Sequence, residues 1–487
     1  MRITNRMMIN NSLANINVNK NQMNTMDTQL STQKKISRPS EDPIIAIRAL
    51  RFRSNLNEIE QYLKKNIPDA RSWMSVTEGA MNQADEIIND LYEKCNHGAT
   101  DSLATSERKI IAESLSQLKE GFYDQGNVDY AGRYVFTGFK TDSSLTYQTD
   151  SEAANHFYTI TQNFTGEDIK TGVVYRNTFS IEQANNTALT ADDIAANMPV
   201  AETNHKIVLG YSGIEQTGFS SLTAGGNSYT VTQTTDTNAV PGEDEVLVNS
   251  ETGELILGNN VYEAVKNSND ISFTYDKSEF SKGDVKPEHY FTCIDKSDPA
   301  NPIEYNYERQ DIEYTINYAQ KLKVNTQAAE AFSIYLGRDI DNIVNSVQTV
   351  NDVEEKIAKL KDMKGQDAYK APEAQERIDA LIEATQKEYD MAADQMQKAF
   401  DAGNTIFQKY EEQLASAIAD VGNRTTRLKL TESRLTEQRT SVQELKSKNE
   451  DVDLEEIVVN YSSAELVYNA SLTSASKVVR QSLLDFL

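Results

Sequence analysis

The chain has 487 residues, of which 38% are hydrophobic and 8% aromatic, a content that favours extended helical packing over compact globules. Its formal net charge of −26 argues against a general nucleic-acid binder, because contacts with phosphates require clustered Lys and Arg. The two cysteines, Cys95 and Cys293, lie far apart in the sequence and indicate neither a disulfide framework nor a CxxC metal site.

The first 36 residues contain no Gly or Pro and are predicted to form one helix. Its apolar side chains keep the 4,3 spacing of a coiled-coil seam, with Lys20 and Asp27 in the two remaining positions. The seam residues are Ile9, Leu13, Ile16, Met23 and Leu30. Eight Asn before residue 25 each cost about half a kcal/mol of helix stability relative to Ala. We therefore expect this helix to be disordered in the monomer and to form against partners.

The N-terminus lacks the apolar core and the cleavage site of a signal peptide. No stretch of the sequence reaches the roughly 18 apolar residues of a membrane span. We expect a protein that either stays in the cytoplasm or is exported without a cleaved signal, with neither membrane insertion nor nucleic-acid binding.

The motif SRPSEDP at 37–43 interrupts the helical pattern. Pro39 disfavours helix at the residue before it, and Asp42 is a good N-cap that is followed by Pro43 at the first helical position. The first seam, if continued, is one residue out of register with the next seam, which begins at Ile45. Pro39, Asp42 and Pro43 are therefore predicted to form the joint between two domains.

The second seam keeps one heptad phase and is typical of an ordinary domain core. Its members are Ile45, Ala49, Phe52, Leu56, Ile59, Leu63, Ala70, Trp73, Thr77, Ala80, Ala84, Ile87 and Leu91. Pro68 falls inside this stripe without shifting it, which predicts one long helix with a kink at the proline. The stretch CNHGATD ends the pattern, and residues 103–124 are predicted to form another helix.

From about 133 to 315 the apolar residues alternate with polar ones, which predicts an antiparallel β region. Its segments are RYVFTGF, HFYTITQNF, HKIVLGY, SYTVTQTT, EVLVNSETGELIL, ISFTYD and EYTINY, with SETG as a hairpin turn. Residues 141–310 hold 26 acidic and 9 basic residues, whereas residues 1–38 hold one acidic and six basic residues. These two parts of the chain therefore carry opposite charge.

The helical pattern returns at about residue 325, breaks at GQDAYKAP (365–372) and continues from Glu373 to about Lys448. The predicted buried stripe of the second stretch consists of Leu414, Ile418, Val421, Leu428, Leu435 and Val442.

The last 37 residues contain no Gly or Pro and carry another thin seam, which is interrupted only by Glu465. The seam residues are Leu454, Val458, Tyr461, Tyr468, Leu472, Ala475 and Val479. No charge occurs between Leu466 and Ser476, which suits a helix surrounded by other helices. Neither terminal seam has a neighbour long enough to cover it in one compact domain, so both are predicted to be subunit interfaces.

Catalytic signatures are scarce in this sequence. It has no HExxH, GxSxG, GxxxxGKS or GxxxxGKT motif and no GxGxxG after a strand, so metalloprotease, hydrolase and nucleotide sites are unsupported. The four histidines are scattered singly, and the CNH triplet at 95–97 offers too few ligands for a metal site. The acidic run at 243–245 is typical of solvated surface charge. No catalytic residue, metal site or cofactor is predicted, and we expect a structural protein.

Segments near both ends of the chain form a recognisable set. They are ITNRMM and NSLANINVNKNQMNTMDTQLSTQKKISRPSEDP at 3–43, RALRFRSNLNEIEQYLKKNI at 48–67, SVTEGAMNQADEI at 75–87, YVFTGFKTD at 134–142, and DVDLEEIVVNYSSAELVYNASL with SLLDFL at 451–487. In this order the segments resemble the flagellin family, over roughly the first 142 and the last 170 residues. RPSEDP and the SLLDFL ending resemble the hook–filament junction members of that family more than its filament subunits.

The resemblance implies an α+β fold, mainly α, with an elongated flagellin-like architecture. We expect paired N- and C-terminal coiled-coil helices, a helical body domain and an inserted antiparallel β domain. In this chain the terminal-helix domain would comprise 1–40 and 450–487, the body domain 41–140 and 310–449, and the acidic β domain 141–309.

The resemblance also implies a structural subunit at the junction of hook and filament in the bacterial flagellum, exported unfolded to the outside of the cell. Expected partners are further copies in a helical assembly, the neighbouring hook-associated protein and flagellin, an export chaperone and the flagellar type III export apparatus. Filament flagellin is the main alternative, because it shares both ends. The missing HExxH argues against an enzyme on a flagellin scaffold, and the matched seams argue against a cytoplasmic coiled-coil scaffold.

Overall fold

The computed structural model describes residues 5–100 and 103–484, and within these ranges the chain is mainly α-helical with several β-sheets. The α-helices are α1 Asn5–Thr32, α2 Pro43–Gln61, α3 Ile67–Gly98, α4 Thr105–Gln125, α5 Asp150–Ala153, α6 Ala191–Ala196, α7 Asn259–Val265, α8 Ala328–Ala331, α9 Ile334–Gly365, α10 Pro372–Glu450 and α11 Leu454–Leu484. The strands are β1 Asp129–Tyr130, β2 Arg133–Tyr134, β3 Tyr158–Phe164, β4 Ile169–Arg176, β5 Val200–Val208, β6 Leu222–Ala224, β7 Asn227–Tyr229, β8 Val231–Thr234, β9 Val246–Asn249, β10 Glu254–Leu257, β11 Ile271–Lys277, β12 Thr292–Asp295, β13 Ile303–Tyr305, β14 Glu313–Asn317 and β15 Gln320–Lys323. The predicted α+β, mainly α class is confirmed.

The chain forms two compact units. The first unit comprises the described residues of 1–70, 314–322 and 426–487, and the second comprises those of 71–313 and 323–425. The first unit is helical apart from most of the β14–β15 hairpin, whereas the second unit holds the two larger sheets. Each unit therefore draws on both halves of the sequence.

Helix α2 begins where the SRPSEDP motif predicts it. The Asp42 backbone is extended (φ −146°, ψ 100°), and its carboxylate accepts hydrogen bonds from the N–H groups of Ile44 and Ile45 at 2.9 and 3.1 Å. Pro43 occupies the first helical position, where no N–H is needed. The predicted N-cap is therefore confirmed. Helix α1 ends earlier than its pattern indicates, at Thr32, because the next three residues leave the helix to pair with other backbone.

The predicted stripe is mostly buried along 70–91 and half-buried along 45–63, where only Ala49 is buried. The side chains of Ala70, Trp73, Thr77, Ala80, Ala84 and Leu91 are at most 3% exposed. Ile88 is buried more fully than the predicted Ile87. A π-helical turn, Tyr62–Asn66, precedes Pro68, and the helical structure resumes as α3 at Ile67. The turn rearranges the hydrogen bonds just where the proline has no N–H to donate, so the helix continues through the proline.

The predicted β region forms two larger sheets in the second unit. One sheet has the strand order β4-β5-β10-β9-β8 and the other has the order β13-β12-β3-β11-β6-β7. Neighbouring strands in both sheets are antiparallel, as predicted, except for the parallel pair β8–β9. The SETG turn joins β9 to β10 with Gly253 at φ +65°. A Cβ atom at Gly253 would lie 2.0 Å from the Tyr211 carbonyl oxygen, so the turn requires glycine.

Helices and the β region share their core in the second unit. One buried cluster joins segments between the strands to helices α9 and α10, and it consists of Phe179, Ala184, Ile194, Leu360, Ile378, Leu381 and Ala384. The single tryptophan of the chain, Trp73, is 1% exposed and packs edge-on to Tyr130 with ring centroids 6.2 Å apart. Its fluorescence therefore reports on the second unit alone.

Candidate assembly interface

Helices α1 and α11 pack against each other in the first unit. Lys34, just after α1, forms a backbone bridge with Asp451, just before α11. Further along, the Asn19 side-chain amide donates a hydrogen bond to the Ser471 hydroxyl at 2.8 Å. These contacts show that the two helices run antiparallel, so the last turns of α1 lie beside the first turns of α11.

One side of α1 is partly buried and repeats every three and four residues. It consists of Ile9, Ser12, Ile16, Asn19, Met23, Met26 and Leu30. The predicted residues Ile9, Ile16, Met23 and Leu30 all lie on this side. Leu13 does not, because its side chain is 53% exposed and Ser12 takes its place.

The partly buried side of α11 follows the same rule. It consists of Ile457, Tyr461, Ala464, Tyr468, Ser471 and Ala475. The predicted interface residues Tyr461 and Tyr468 lie on this side, and their role between subunits stays a prediction. Leu454, Val458 and Leu472 are instead 47%, 48% and 41% exposed. The side chain of Val479 lies outside the described residues, as do residues 1–4 and 485–487 of the resembling segments.

Each helix thus has a seam that is turned toward its partner in the same chain and a neighbouring row that is not. We call that neighbouring row the outer row, and it consists of Leu13, Lys20, Asp27, Val458, Glu465 and Leu472. Every member follows a seam residue directly, so all six occupy the same heptad position. In an antiparallel helix pair these positions of both helices lie along one side. The outer row therefore lines one exposed side of the α1–α11 pair.

The seam between α1 and α11 is weakly apolar. Ser12, Asn19, Ala464 and Ser471 supply little hydrophobic contact, although a polar residue such as Asn19 fixes the register of a helix pair. Larger apolar side chains are exposed elsewhere on both helices, namely Met7, Met8, Val18, Leu466 and Val467 at 57%, 42%, 63%, 71% and 47%. Grouped exposed apolar side chains mark interaction surfaces.

The chain segments before α2 and α11 are fastened to each other. The Lys35 N–H donates to the Glu450 carbonyl at 2.8 Å, and the Val452 N–H donates to the Gln33 carbonyl at 3.1 Å. The Arg53 guanidinium makes two hydrogen bonds, of 2.9 and 2.8 Å, to the Glu450 carboxylate, whose side chain is 6% exposed. This pairing holds the start of α11 in place.

Two ionisable groups at this contact are perturbed. The hydrogen bond from the Lys34 ammonium lowers the pKa of the Asp451 carboxyl, and the hydrogen bond to Glu450 raises the pKa of Arg53. Both shifts favour the charged forms, so the contact is ionic near neutral pH.

The predicted joint residues Pro39, Asp42 and Pro43 all lie in the first unit. Pro39 and Pro43 are exposed, and Asp42 is half-buried beneath the first turn of α2. Glu41 closes the loop by accepting hydrogen bonds from the backbone and hydroxyl of Ser37, both at 2.7 Å. Their role as a joint between domains stays a prediction.

The two cysteines of the chain are both buried. Burial raises the thiol pKa of Cys95 and of Cys293 to about 12, so neither is a thiolate at neutral pH. Among the described residues no group of three His, Cys, Asp or Glu is arranged to hold a metal ion. Across 5–100 and 103–484 no helix has the length and apolar content needed to cross a membrane.

The sequence interpretation missed the small and polar members of the seam. Two spacings are possible from Ile9: the 3,4 spacing places the apolar Met26 on the seam, whereas the 4,3 spacing places the charged Asp27 there. This difference was the available signal for the 3,4 spacing. The Arg53–Glu450 pair left no signal in the sequence, because its partners are separated by almost the whole chain.

Several known proteins resemble this chain. Flagellar hook-associated protein 3 of Salmonella typhimurium is 27% identical over 146 residues, which are 30% of this chain and 45% of that protein. A flagellin of Clostridium tyrobutyricum is 28% identical over 120 residues, 25% of this chain and 32% of that protein. Both matches span less than half the length of the relative. The solved structure of flagellar hook-associated protein 3 from Legionella pneumophila is 13% identical, with a TM-score of 0.31 over 82% of this chain and 97% of that chain.

The N-terminal part of the chain matches a family model. The profile of the bacterial flagellin N-terminal helical region matches residues 3–141. This range contains helices α1 to α4. It also contains the N-terminal segments on which the resemblance is based, up to residue 141. The predicted resemblance to the flagellin family is therefore confirmed over residues 3–141, which are similar to that family's N-terminal helical region.

Proposed function

We propose that this protein is a structural, non-enzymatic subunit of the bacterial flagellum that forms the junction between hook and filament. The observation that carries the proposal is the α1–α11 pair, which leaves an outer row with apolar residues exposed in a chain with a flagellin-family N-terminal region. A helix pair of this kind is incomplete alone and is suited to packing against further helices.

The proposed mechanism is assembly after export. The chain leaves the cell unfolded through the flagellar type III apparatus, assisted by an export chaperone and without a cleaved signal. Its terminal helices then pack as coiled coils against those of neighbouring copies and bury Leu13, Val458 and Leu472. Each buried Leu contributes about 1.5–3 kcal/mol, so a few per copy offset the cost of ordering the helices. The copies meet through unlike surfaces and form a helical rather than a closed assembly.

In this proposal the chain has three domains. Residues 1–40 and 450–487 form the inner terminal-helix domain, residues 41–140 and 310–449 form the body, and residues 141–309 form the inserted β domain. Pro39, Asp42 and Pro43 form the joint between the first two. The acidic β domain keeps the outer surface of the assembly soluble through its charge.

The neighbouring hook-associated protein and flagellin are the proposed partners on either side of the junction layer. Filament flagellin is the second candidate function, because a flagellin of Clostridium tyrobutyricum is 28% identical to this chain over 120 residues. Gene deletion separates the two. Cells with hooks but no filaments, and with flagellin released into the medium, support a junction protein. Loss of the filament polymer with the junction retained supports flagellin, and normal flagella contradict both.

The interface itself is tested by placing a charge in the outer row. Leu13→Asp and Leu472→Asp are each expected to prevent incorporation into flagella, because a carboxylate cannot be buried between helices without a partner. Matched controls are Asn17→Asp and Asn469→Asp, which add the same charge at exposed positions of the same helices. Trp73 fluorescence should be unchanged in all four variants. Normal incorporation of both leucine variants would contradict the proposed interface.

Ordering of the ends on assembly is tested by brief proteolysis. The isolated chain should lose residues up to about 40 and beyond about 450, and the assembled protein should keep them. Full protection of both ends in a monomeric sample counts against this step of the mechanism.

A further inference from the structure

Helix α2 exposes large apolar side chains on the side that faces away from its unit. Ile44, Ile47 and Leu50 are 64%, 55% and 64% exposed. Their spacing of three places them in one stripe on the helix surface. The opposite side of α2 is buried at Ala49, which is 8% exposed. The stripe is therefore an apolar surface that the core of its own unit does not cover.

The stripe is also basic. Arg51 lies between Ile44 and Ile47 around the helix, and Arg48 lies at the edge of the stripe; both are exposed. Neither arginine has an ion-pair partner in the part of the chain that the structure describes. We call Ile44, Ile47, Leu50, Arg48 and Arg51 the α2 stripe.

The first turns of α11 expose the complementary chemistry. Leu454, Val458 and Val459 are 47%, 48% and 68% exposed. Glu455 lies among them and Glu456 beside them, both exposed and without an ion-pair partner among the described residues. We call these five residues the α11 face. The two glutamates also stabilise α11 itself, because negative charges in the first turn of a helix interact favourably with the helix dipole.

We propose that the α2 stripe of one copy docks on the α11 face of a second copy. Each surface presents three large apolar side chains and two charges, and the charges have opposite sign. Both surfaces are exposed within one chain, so they do not cover each other there. Two unlike surfaces on every copy give a heterologous contact, which continues from copy to copy in an open series. The inference rests on the proposed function and names α2 of a second copy as the surface that covers Leu454 and Val458 of the predicted C-terminal seam.

The test uses two charge-reversed variants of the full-length protein. The stripe variant carries Arg48→Glu with Arg51→Glu, and the face variant carries Glu455→Arg with Glu456→Arg. Alone, each variant brings like charges together at the contact. We expect its critical concentration for assembly to rise by about tenfold or more. In an equimolar mixture each variant meets the opposite charge on the other, and we expect assembly to return with the two variants alternating.

The mixture distinguishes docking from a folding defect, since a misfolded variant cannot be rescued by another chain. Lys429→Glu with Arg434→Glu is the matched control, because it makes the same charge change at exposed positions of α10 and should assemble like the wild type. The proposal is overturned if the mixture assembles no better than either variant alone, or if either variant assembles like the wild type. If the wild type does not assemble, or if cells without the protein still form filaments, the proposed function is overturned instead.

Discussion

Asp42 holds the first turn of α2 through its two hydrogen bonds to the N–H groups of Ile44 and Ile45. Replacing the cap by Asp42→Ala should lower the stability of the first unit by about 1 kcal/mol, because both donors lose their partner. Hydrogen exchange at these two amides should be faster in the variant. Asp42→Asn keeps an acceptor at the same place and should behave like the wild type, and equal effects of the two substitutions would refute the cap.

We expect His289 to make the second unit sensitive to acid. The side chain is 3% exposed, and its ring nitrogen Nε2 lies 3.3 Å from the Ser144 carbonyl oxygen. Burial lowers its pKa from 6.5 to about 4, with Lys140 and Lys286 acting in the same direction and Glu288 against them. Since the unfolded chain takes up the proton first as the pH falls, stability is lost between about pH 6.5 and pH 4.

The expected contribution of His289 is a loss of about 2 kcal/mol between pH 7 and pH 5. Urea unfolding followed by Trp73 fluorescence at the two pH values measures it. His289→Asn should remove this part of the pH dependence whatever its effect at pH 7. His97→Asn is the matched control for the loss of a histidine side chain, because it makes the same substitution at an exposed position.

At the scale of helices and strands, features that depend on neighbouring residues were predicted correctly. The side of a helix that packs on another helix was not. The Asp42–Pro43 start of α2 depends only on residues next to each other, so the sequence was sufficient. The α1 seam depends on which helix lies opposite. A ranking by hydrophobicity selects Leu13 and Leu472, whereas the neighbouring helix of the same chain packs on Ser12, Asn19 and Ser471. These two leucines therefore stay exposed in the single chain and are available to another surface.

The SETG hairpin gives a prediction about one turn. Gly253→Ala and Gly226→Ala both place a side chain at positive φ, +65° and +78°, which costs about 1 kcal/mol. Only Gly253 also faces a carbonyl oxygen 2.0 Å from the new Cβ, since Gly226 has no atom within 4 Å. Gly253→Ala should therefore destabilise the second unit clearly more than Gly226→Ala in urea unfolding. Equal effects would show that the turn can move away from Tyr211.

At the scale of the whole molecule, the two larger sheets, helix α9 and the part of α10 up to Thr425 lie in the same compact unit. The Arg338 Nε donates to the Leu209 carbonyl and the Arg377 Nε to the Ala184 carbonyl, both at 3.0 Å. The strand segments were predictable from alternation, but the sheet order and the parallel β8–β9 pair were not, because they depend on pairings between distant residues.

Excision of the β region should therefore weaken the helices that remain. Replacing residues 144–308 by a short flexible linker exposes the apolar side chains of Leu360, Ile378 and Leu381. We expect a lower melting temperature by Trp73 fluorescence and stronger binding of a hydrophobic dye. Removal of the exposed loop residues 298–301 is the control and should change neither. An unchanged melting temperature after the excision would mean that the helices are stable without the β region.

The backbone pairing of residues 33–35 with residues 450–452 acts as a clasp between the two ends of the chain. A fragment that stops at Glu450 leaves the Gln33 carbonyl without its donor, and a fragment that starts after Lys35 leaves the Glu450 carbonyl without its own. Trimming one terminus therefore damages the other, although hundreds of residues separate them. A soluble fragment for crystallisation or immunisation should therefore lack both terminal helices, and both paired segments of the clasp should be removed with them.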